Sequence, residues 1–375
     1  MKQRALKIIL YLGAMFVIVY LFAALADELV LKKLQSIDKF LMTQVSSPTF
    51  HDKRLARTMF SDLSNFMRTI QYHPLRGWAY KEFHSATFNT DTNGYRTNGS
   101  ISGGDKGEVW LFGGSTLMGW GASDDMTISS WLQRLKAEYS IKSFAQMGYT
   151  SSQELIQFME LLSLDPNAKP RVVIFFDGKN EFWAGCSGLQ SQNTVYCHEI
   201  RSLFEEGKTT AVGNSFYPFV AFLSDPVRKM ILRARYGLYL RPGAEQSLYS
   251  ERENHGDLVC KTMLQNWRVA KALTEERGGR FVGVLHPNAA LSKARTDYID
   301  PGLFLHKPYL DAYRNAAQML AVMRLPWAID LTSAYDDAGN EYIFLDDTHL
   351  TSRGGEIMAG ILSERIDSML HSHQE

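Results

Sequence analysis

A serine placed just after two glycines at the end of an apolar run is the residue of this chain best set up for chemistry. Val109-Trp110-Leu111-Phe112 leads directly into Gly113-Gly114-Ser115-Thr116. A hydroxyl there can attack an acyl carbonyl if a base removes its proton. A base of the right kind stands far downstream, in Phe344-Leu345-Asp346-Asp347-Thr348-His349-Leu350. Asp346, three residues before His349, can hold the imidazole in one tautomer while the other ring nitrogen takes the serine proton and later returns it to the leaving group. Two more segments can supply donors to a developing oxyanion. Asn180, in Asp177-Gly178-Lys179-Asn180-Glu181, can aim its side-chain amide, and Gly148, in Met147-Gly148-Tyr149-Thr150, can offer a backbone N–H, as can Ser115 itself. Each such donor is typically worth about 2.7–4 kcal/mol in the transition state. Each segment also has a plainer reading. The serine can be a helix N-cap, Asp-x-x-His a polar loop before a helix near Thr351, and Gly148 and Asn180 turn residues.

These groups need elements to position them, and the surrounding sequence supplies candidates. The run before Gly113 is short and rich in aromatic and β-branched residues, which predicts a buried strand. Arg171-Val172-Val173-Ile174-Phe175-Phe176 is the most strand-like run in the chain and ends at the Asn180 segment. Glycines after the first strand let the backbone turn sharply and keep the space beside Ser115 clear. Such a strand–turn–helix junction lifts a hydroxyl to the carboxyl edge of a sheet. Further on, a helix near 262–277 precedes a strand at 281–285, and a helix near 310–323 precedes a strand at 328–331. A last helix, carrying Ile357, Ile361 and Leu362, closes the sequence. Alternation of this kind predicts an α/β fold with a mostly parallel sheet.

The order serine, glycine, asparagine, then Asp-x-x-His resembles the SGNH hydrolases, also called the GDSL esterase/lipase superfamily, over roughly residues 107–370. The resemblance implies a three-layer α/β/α sandwich of flavodoxin-like type. It also implies Ser115 as nucleophile, His349 as general base, Asp346 as its orienter, and Ser115, Gly148 and Asn180 as the oxyanion hole. Four positions depart from the family pattern. Gly114 stands where an aspartate is familiar, Ser143 where asparagine is frequent, Ala145 where glycine or another small residue is usual, and Glu181 where an aspartate commonly follows the asparagine.

Composition narrows the setting. The 40 basic and 40 acidic residues cancel, which leaves no nucleic-acid footprint. Metal-type Cys/His spacing, a Walker loop and a dinucleotide-binding glycine turn are all missing from the sequence. The uncharged run 8–26, with Lys2, Arg4 and Lys7 before it and Asp27 and Glu28 after it, can just span the ~30 Å hydrocarbon core at about 1.5 Å per residue. The flanking charges place the N-terminus in the cytoplasm and the rest outside. A cleaved signal peptide ending near Ala24-Leu25-Ala26 is the competing reading, and both lead to export. Cys186 and Cys197 lie close together in a polar loop that a disulfide could close in an oxidising compartment, or they are two thiols. Cys260 reads as a buried apolar side chain.

The expected organisation is therefore a tip and transmembrane anchor at 1–27, a helical stem and short β lead-in at 28–106, and the hydrolase-like domain at 107–375 with an insertion at about 185–260. Apolar residues at helical spacing from Leu55 to Ile70 predict the stem helix, its apolar face packed on the domain. The turn-rich segments around 73–78 and 89–96 predict a lead-in over the sheet edge, with Tyr95 or Arg96 in reach of a substrate. Mixed apolar and basic residues at 216–240 suit a cap helix or a helix resting on an anionic membrane. The functional expectation is an exported, membrane-anchored serine esterase that needs no metal or organic cofactor. Its substrate would be an acyl ester, acetyl foremost, on a carbohydrate or cell-envelope polymer. Acyl transfer to a sugar hydroxyl, a lipid ester as substrate, and a non-catalytic subunit of a polysaccharide assembly machine are the alternatives.

Overall fold

A computed structural model describes residues 41–42, 44–186, 255–304 and 307–371. All of them belong to one compact unit made of 41–197 and 251–375. The second unit, 1–40 with 198–250, lies outside the described residues. So, therefore, do the apolar run 8–26, the 216–240 segment, and Cys197 with its pairing to Cys186. Among the described residues no helix is long and apolar enough to cross a membrane.

The named elements of the described residues run from α1 (Lys53–Met67) through the strands β1 (Gln71–His73) and β2 (Gly77–Ala79) to β3 (Glu108–Gly113) and the single turn α2 (Ser115–Met118). Next come α3 (Ile128–Leu135), β4 (Ser140–Ser143), α4 (Ser151–Leu164), β5 (Val172–Asp177) and α5 (Lys179–Cys186). The last part holds α6 (His255–Glu276), β6 (Arg280–Leu285), α7 (Lys307–Met323), β7 (Ala328–Asp330) and α8 (Ser352–His371). Five strands form one parallel sheet in the order β4-β3-β5-β6-β7. In such an order the connections diverge between β3 and β5, and their carboxyl ends border the crevice where open α/β sheets bind ligands. Ser115 follows β3 and Asn180 follows β5.

The central strands β3, β5 and β6 are mostly apolar on both faces because both faces are covered. All six residues of β5 are buried. Trp110, Phe112, Val173 and Phe175 face a cluster with Phe158 of α4, Trp267 of α6 and Tyr313 of α7. The opposite layer holds α3 and α8, which bury Ile128, Leu132, Met358 and Leu362. Glycine is required in β6, where a Cβ on Gly283 would come within 2.3 Å of the Trp267 ring that packs against this backbone. Cys260 is buried in the same cluster.

Several expectations shift in detail. The stem helix ends at Met67, and Ile70 is exposed. From Leu41 onward the stem shares the compact unit of the sheet, with Phe60, Leu63 and Phe66 buried. The β lead-in is the antiparallel pair β1–β2, but it packs on the Gly148 loop: Trp78 Nε1 donates to Met147 O (3.3 Å) and Tyr149 Oη to Trp78 O (2.5 Å). Residues 98–106 run beside the edge strand instead, with Asn98 Nδ2 donating to Ile141 O and Gly104 N to Tyr139 O. No sequence signal marks the edge strand β4, since Ser-Ile-Lys-Ser is too short and polar to stand out.

Candidate active site

The turn after β3 brings Ser115 to the carboxyl edge as the first residue of α2. Its Oγ lies 2.8 Å from His349 Nε2 across 234 positions of sequence. On the other side of the ring, His349 Nδ1 lies 2.6 Å from Asp346 Oδ2. The remaining oxygen, Asp346 Oδ1, accepts the backbone N–H groups of Thr348 (2.9 Å) and His349 (2.8 Å). One carboxylate thus folds its own turn and holds the imidazole, which is why the acid must stand three residues before the histidine. Burial alone would raise the Asp346 pKa. The His349 charge, their hydrogen bond and nearby Lys179 overcome it and hold this carboxyl well below the usual range. An ionised Asp346 puts the neutral-ring proton on Nδ1 and leaves Nε2 free to accept the Ser115 proton.

Donors for an oxyanion meet beside Ser115. Its N–H is the first of α2 and has no intrahelical partner. Among the described residues neither that N–H nor the Gly148 N–H meets an acceptor. Gly148 adopts φ +77°, which an L side chain rarely tolerates. Asn180 Nδ2 donates one hydrogen to Tyr149 O at 2.8 Å, leaving its second for a ligand. The same Nδ2 would stand 2.3 Å from a Cβ on Gly114. The absence of a side chain on Gly114 leaves the space that the Asn180 amide occupies beside the nucleophile turn. The structure thus gathers all five expected residues at one sheet edge.

Residues beyond that set complete the surroundings. Trp120 stacks on the His349 ring, 4.7 Å between centroids and 14° from parallel. Its loop is cinched by Arg96, which donates to the carbonyls of Met118 (2.9 Å), Gly119 (2.6 Å) and Ala122 (2.6 Å) and pairs with Asp124 at 3.0 Å. Arg96 is 4% exposed, so its role is structural and not the substrate contact expected from the sequence. Tyr95 packs edge-on against Phe144. Lys179 reaches Asp347 at 2.5 Å, and its backbone N–H donates to buried His286 Nε2 at 3.2 Å. Burial pushes His286 down to about 4 and keeps it a neutral acceptor.

Beneath the Asn180 turn lie three buried carboxyls, Glu154, Asp177 and Glu181. Trp267 Nε1 donates to Asp177 Oδ2 at 2.5 Å. Among the described residues neither Glu154 oxygen, nor Asp177 Oδ1, meets a hydrogen-bond donor. Burial first, and mutual repulsion second, push Glu154 and Glu181 well above the ordinary range, and burial pushes Asp177 up to about 7. No local sequence signal marked Trp120, Glu154 or Trp267, whose partners are distant in the chain.

No protein-family model and no curated protein matches the chain. Solved structures of GDSL-type proteins and esterases do resemble it. A lipolytic G-D-S-L family protein from Veillonella parvula is 11% identical, covering 71% of this chain and 98% of its own, with a TM-score of 0.37. Esterase EstA from Pseudoalteromonas sp. is 10% identical over 71% of this chain and 100% of its own, also with a TM-score of 0.37. An acetyl xylan esterase, AlAXEase, is 12% identical over 69% of this chain and 98% of its own, again at 0.37. Likenesses of this size do not distinguish one activity from another.

Proposed function

We propose that this chain is a serine esterase of the SGNH type. The observation that carries the reading is the hydrogen-bonded series Ser115 Oγ–His349 Nε2–Asp346, at 2.8 and 2.6 Å, on the carboxyl edge of the sheet. Ser115 Oγ attacks the acyl carbonyl as its proton passes to His349 Nε2. Asp346 keeps the ring oriented and stabilises the imidazolium. The carbonyl oxygen becomes an oxyanion held by the Ser115 N–H, the Gly148 N–H and the second Asn180 amide hydrogen. The tetrahedral intermediate collapses as His349 returns the proton to the departing alcohol, leaving an acyl-serine. Water, deprotonated by the same nitrogen, then releases the acid and restores Ser115.

The uncharged run 8–26 and the basic residues before it support a chain held in the membrane with this site outside the cytoplasm. An exported esterase in that position meets the acylated sugars and polymers of the cell envelope, and an acetyl ester on such a carbohydrate is the substrate we assign. The deciding experiment is Ser115→Ala in the full-length protein. Turnover of a small acetyl ester should fall by about 10³-fold or more, with the melting temperature little changed. Turnover near the wild-type rate would show that Ser115 is not the nucleophile.

A further inference from the structure

The two side-chain and backbone donors outside the nucleophile turn come from separate loops, and one carboxyl joins those loops. Gly148 lies in the loop before α4, whose first residue is Ser151. Asn180 is the second residue of α5, two residues beyond Gly178 in the turn after β5. Glu181, only 3% exposed, accepts the Ser151 N–H on Oε1 at 2.5 Å and the Gly178 N–H on Oε2 at 2.9 Å. We propose that Glu181 is a positioning residue for the oxyanion hole, its carboxyl fixing the Gly148 loop against the Asn180 turn. The proposal rests on the esterase reading of the site.

Three features argue that this is more than helix capping. First, α4 has a cap of its own: Gln153 Oε1 accepts the Thr150 N–H at 3.3 Å within a capping box. The Glu181 bond to Ser151 is additional and comes from across the sheet edge. Second, the two loops already touch where the chemistry would occur, through Asn180 Nδ2 and Tyr149 O at 2.8 Å. Glu181 makes the second tie between the same loops, and two ties fix an angle where one leaves a pivot. Third, the clamp stands on a rigid base. Asp177, the last residue of β5, receives the Trp267 indole N–H, and Trp267 lies on Gly283. The turn at Gly178 cannot relax toward α7, since even a Cβ there would come within 2.1 Å of Tyr313 Oη.

A positioning residue acts through what it positions, and this gives a test that capping alone would not pass. The full-length protein is assayed with p-nitrophenyl acetate as Ser115→Ala, Asn180→Ala, Glu181→Ala, Glu181→Gln and the doubles of Asn180→Ala with each Glu181 change. Glu181→Ala should lower kcat by about 10- to 100-fold with KM within about twofold, because misplaced donors weaken binding of the oxyanion and not of the ground-state ester. Glu181→Gln keeps one carbonyl acceptor and should recover part of the loss. Once Asn180 is gone only the Gly148 donor still depends on Glu181, so each Glu181 change should cost less in the Asn180→Ala background than in the wild type. If losses multiply in the doubles, or if kcat in both Glu181 variants equals wild type, the proposal is wrong. Should Glu181→Ala fail to fold, the Asn180→Ala cycle with Glu181→Gln decides alone. Activity surviving in Ser115→Ala would overturn the esterase reading itself. Activity lost there but unaffected at Glu181 would overturn only this inference.

Discussion

Two groups of buried carboxyls flank Ser115, and burial meets different partners in each. On the His349 side, Asp346 and Asp347 sit beside cations: Asp346 contacts His349, and Asp347 contacts Lys179. Burial opposes ionisation there too, yet Asp346 stays a carboxylate because a partner charge and two backbone N–H groups compensate. On the Asn180 side, Glu154, Asp177 and Glu181 contact one another and the Trp267 N–H, with no lysine or arginine bonded to them among the described residues. Without a cation, burial dominates and protons are retained. The same functional group therefore does two jobs. Charge stabilises a proton in transit at His349, whereas under Asn180 the Glu181 carboxyl ties loops together by accepting their backbone N–H groups. Only the first job requires a negative charge during turnover.

The sharpest way to break this contrast is to replace one carboxyl on each side with its amide. Asp346→Asn keeps the size of the side chain but removes the carboxylate that fixes the His349 tautomer. Its kcat should fall about 10⁴-fold, the scale known for removing the acid of such a triad. Asp177→Asn should leave kcat at neutral pH within about threefold of wild type, since a protonated acid and an amide both donate and accept. Comparable losses in the two variants would show that the Asn180 side also works through charge.

Gly114 tests the geometry of the Asn180 side without touching its acids. A Cβ at this position would stand 2.3 Å from Asn180 Nδ2, closer than real contacts allow. Gly114 has φ −84°, so alanine meets no backbone penalty and the effect falls on the amide. Gly114→Ala should displace Asn180 and cost about 10- to 100-fold in kcat, less than removing the Asp346 charge. Steady-state kinetics with a small acetyl ester measures it. An unchanged kcat would mean that the Asn180 amide is not used as a donor.

What could be read in advance follows from the range of the interactions. The β3 run with its Gly-Gly-Ser-Thr ending, the β5 run and Asp-x-x-His are local patterns. Their backbone consequences are settled within a few residues, and the structure places each where its pattern indicated. Asp346 could be identified because its hydrogen bonds all close within three residues. The supports of the site are different in kind. Trp267 meets Asp177 across 90 positions and Arg96 meets Ala122 across 26. An arginine near a turn looks equally fit for solvent, substrate or core, and only the closed fold shows Arg96 bonded to buried carbonyls. Strand β4 was missed for another reason: as an edge strand of four residues it takes its stability from pairing with β3 and needs little apolar character of its own.

The smallest effect is a slope in stability, and it separates the two carboxyl groups by their protons. Asp177 in the folded chain titrates near 7 because burial penalises its charge, whereas in an unfolded chain an aspartate titrates near about 3.9. Between those values the folded state holds a proton that the unfolded state has released. Stability contributed at this site must therefore fall as pH rises from about 4 to about 7. Glu154 and Glu181 are raised by the same burial and add to the decline. His286 works against it: pushed down to about 4, it stays neutral while the unfolded imidazole takes up a proton below about 6.5, so its contribution rises with pH over that interval. The difference between wild type and Asp177→Asn cancels His286 and isolates the acids. Asp177→Asn should gain stability relative to wild type from pH 5 to pH 7, because it removes one titrating proton and the repulsion on its two neighbours. Urea midpoints of the full-length protein at about pH 5, 6 and 7 measure this. A difference that stays constant across that range would show that Asp177 is ionised in the fold, and the contrast between the two sides of Ser115 would then be lost.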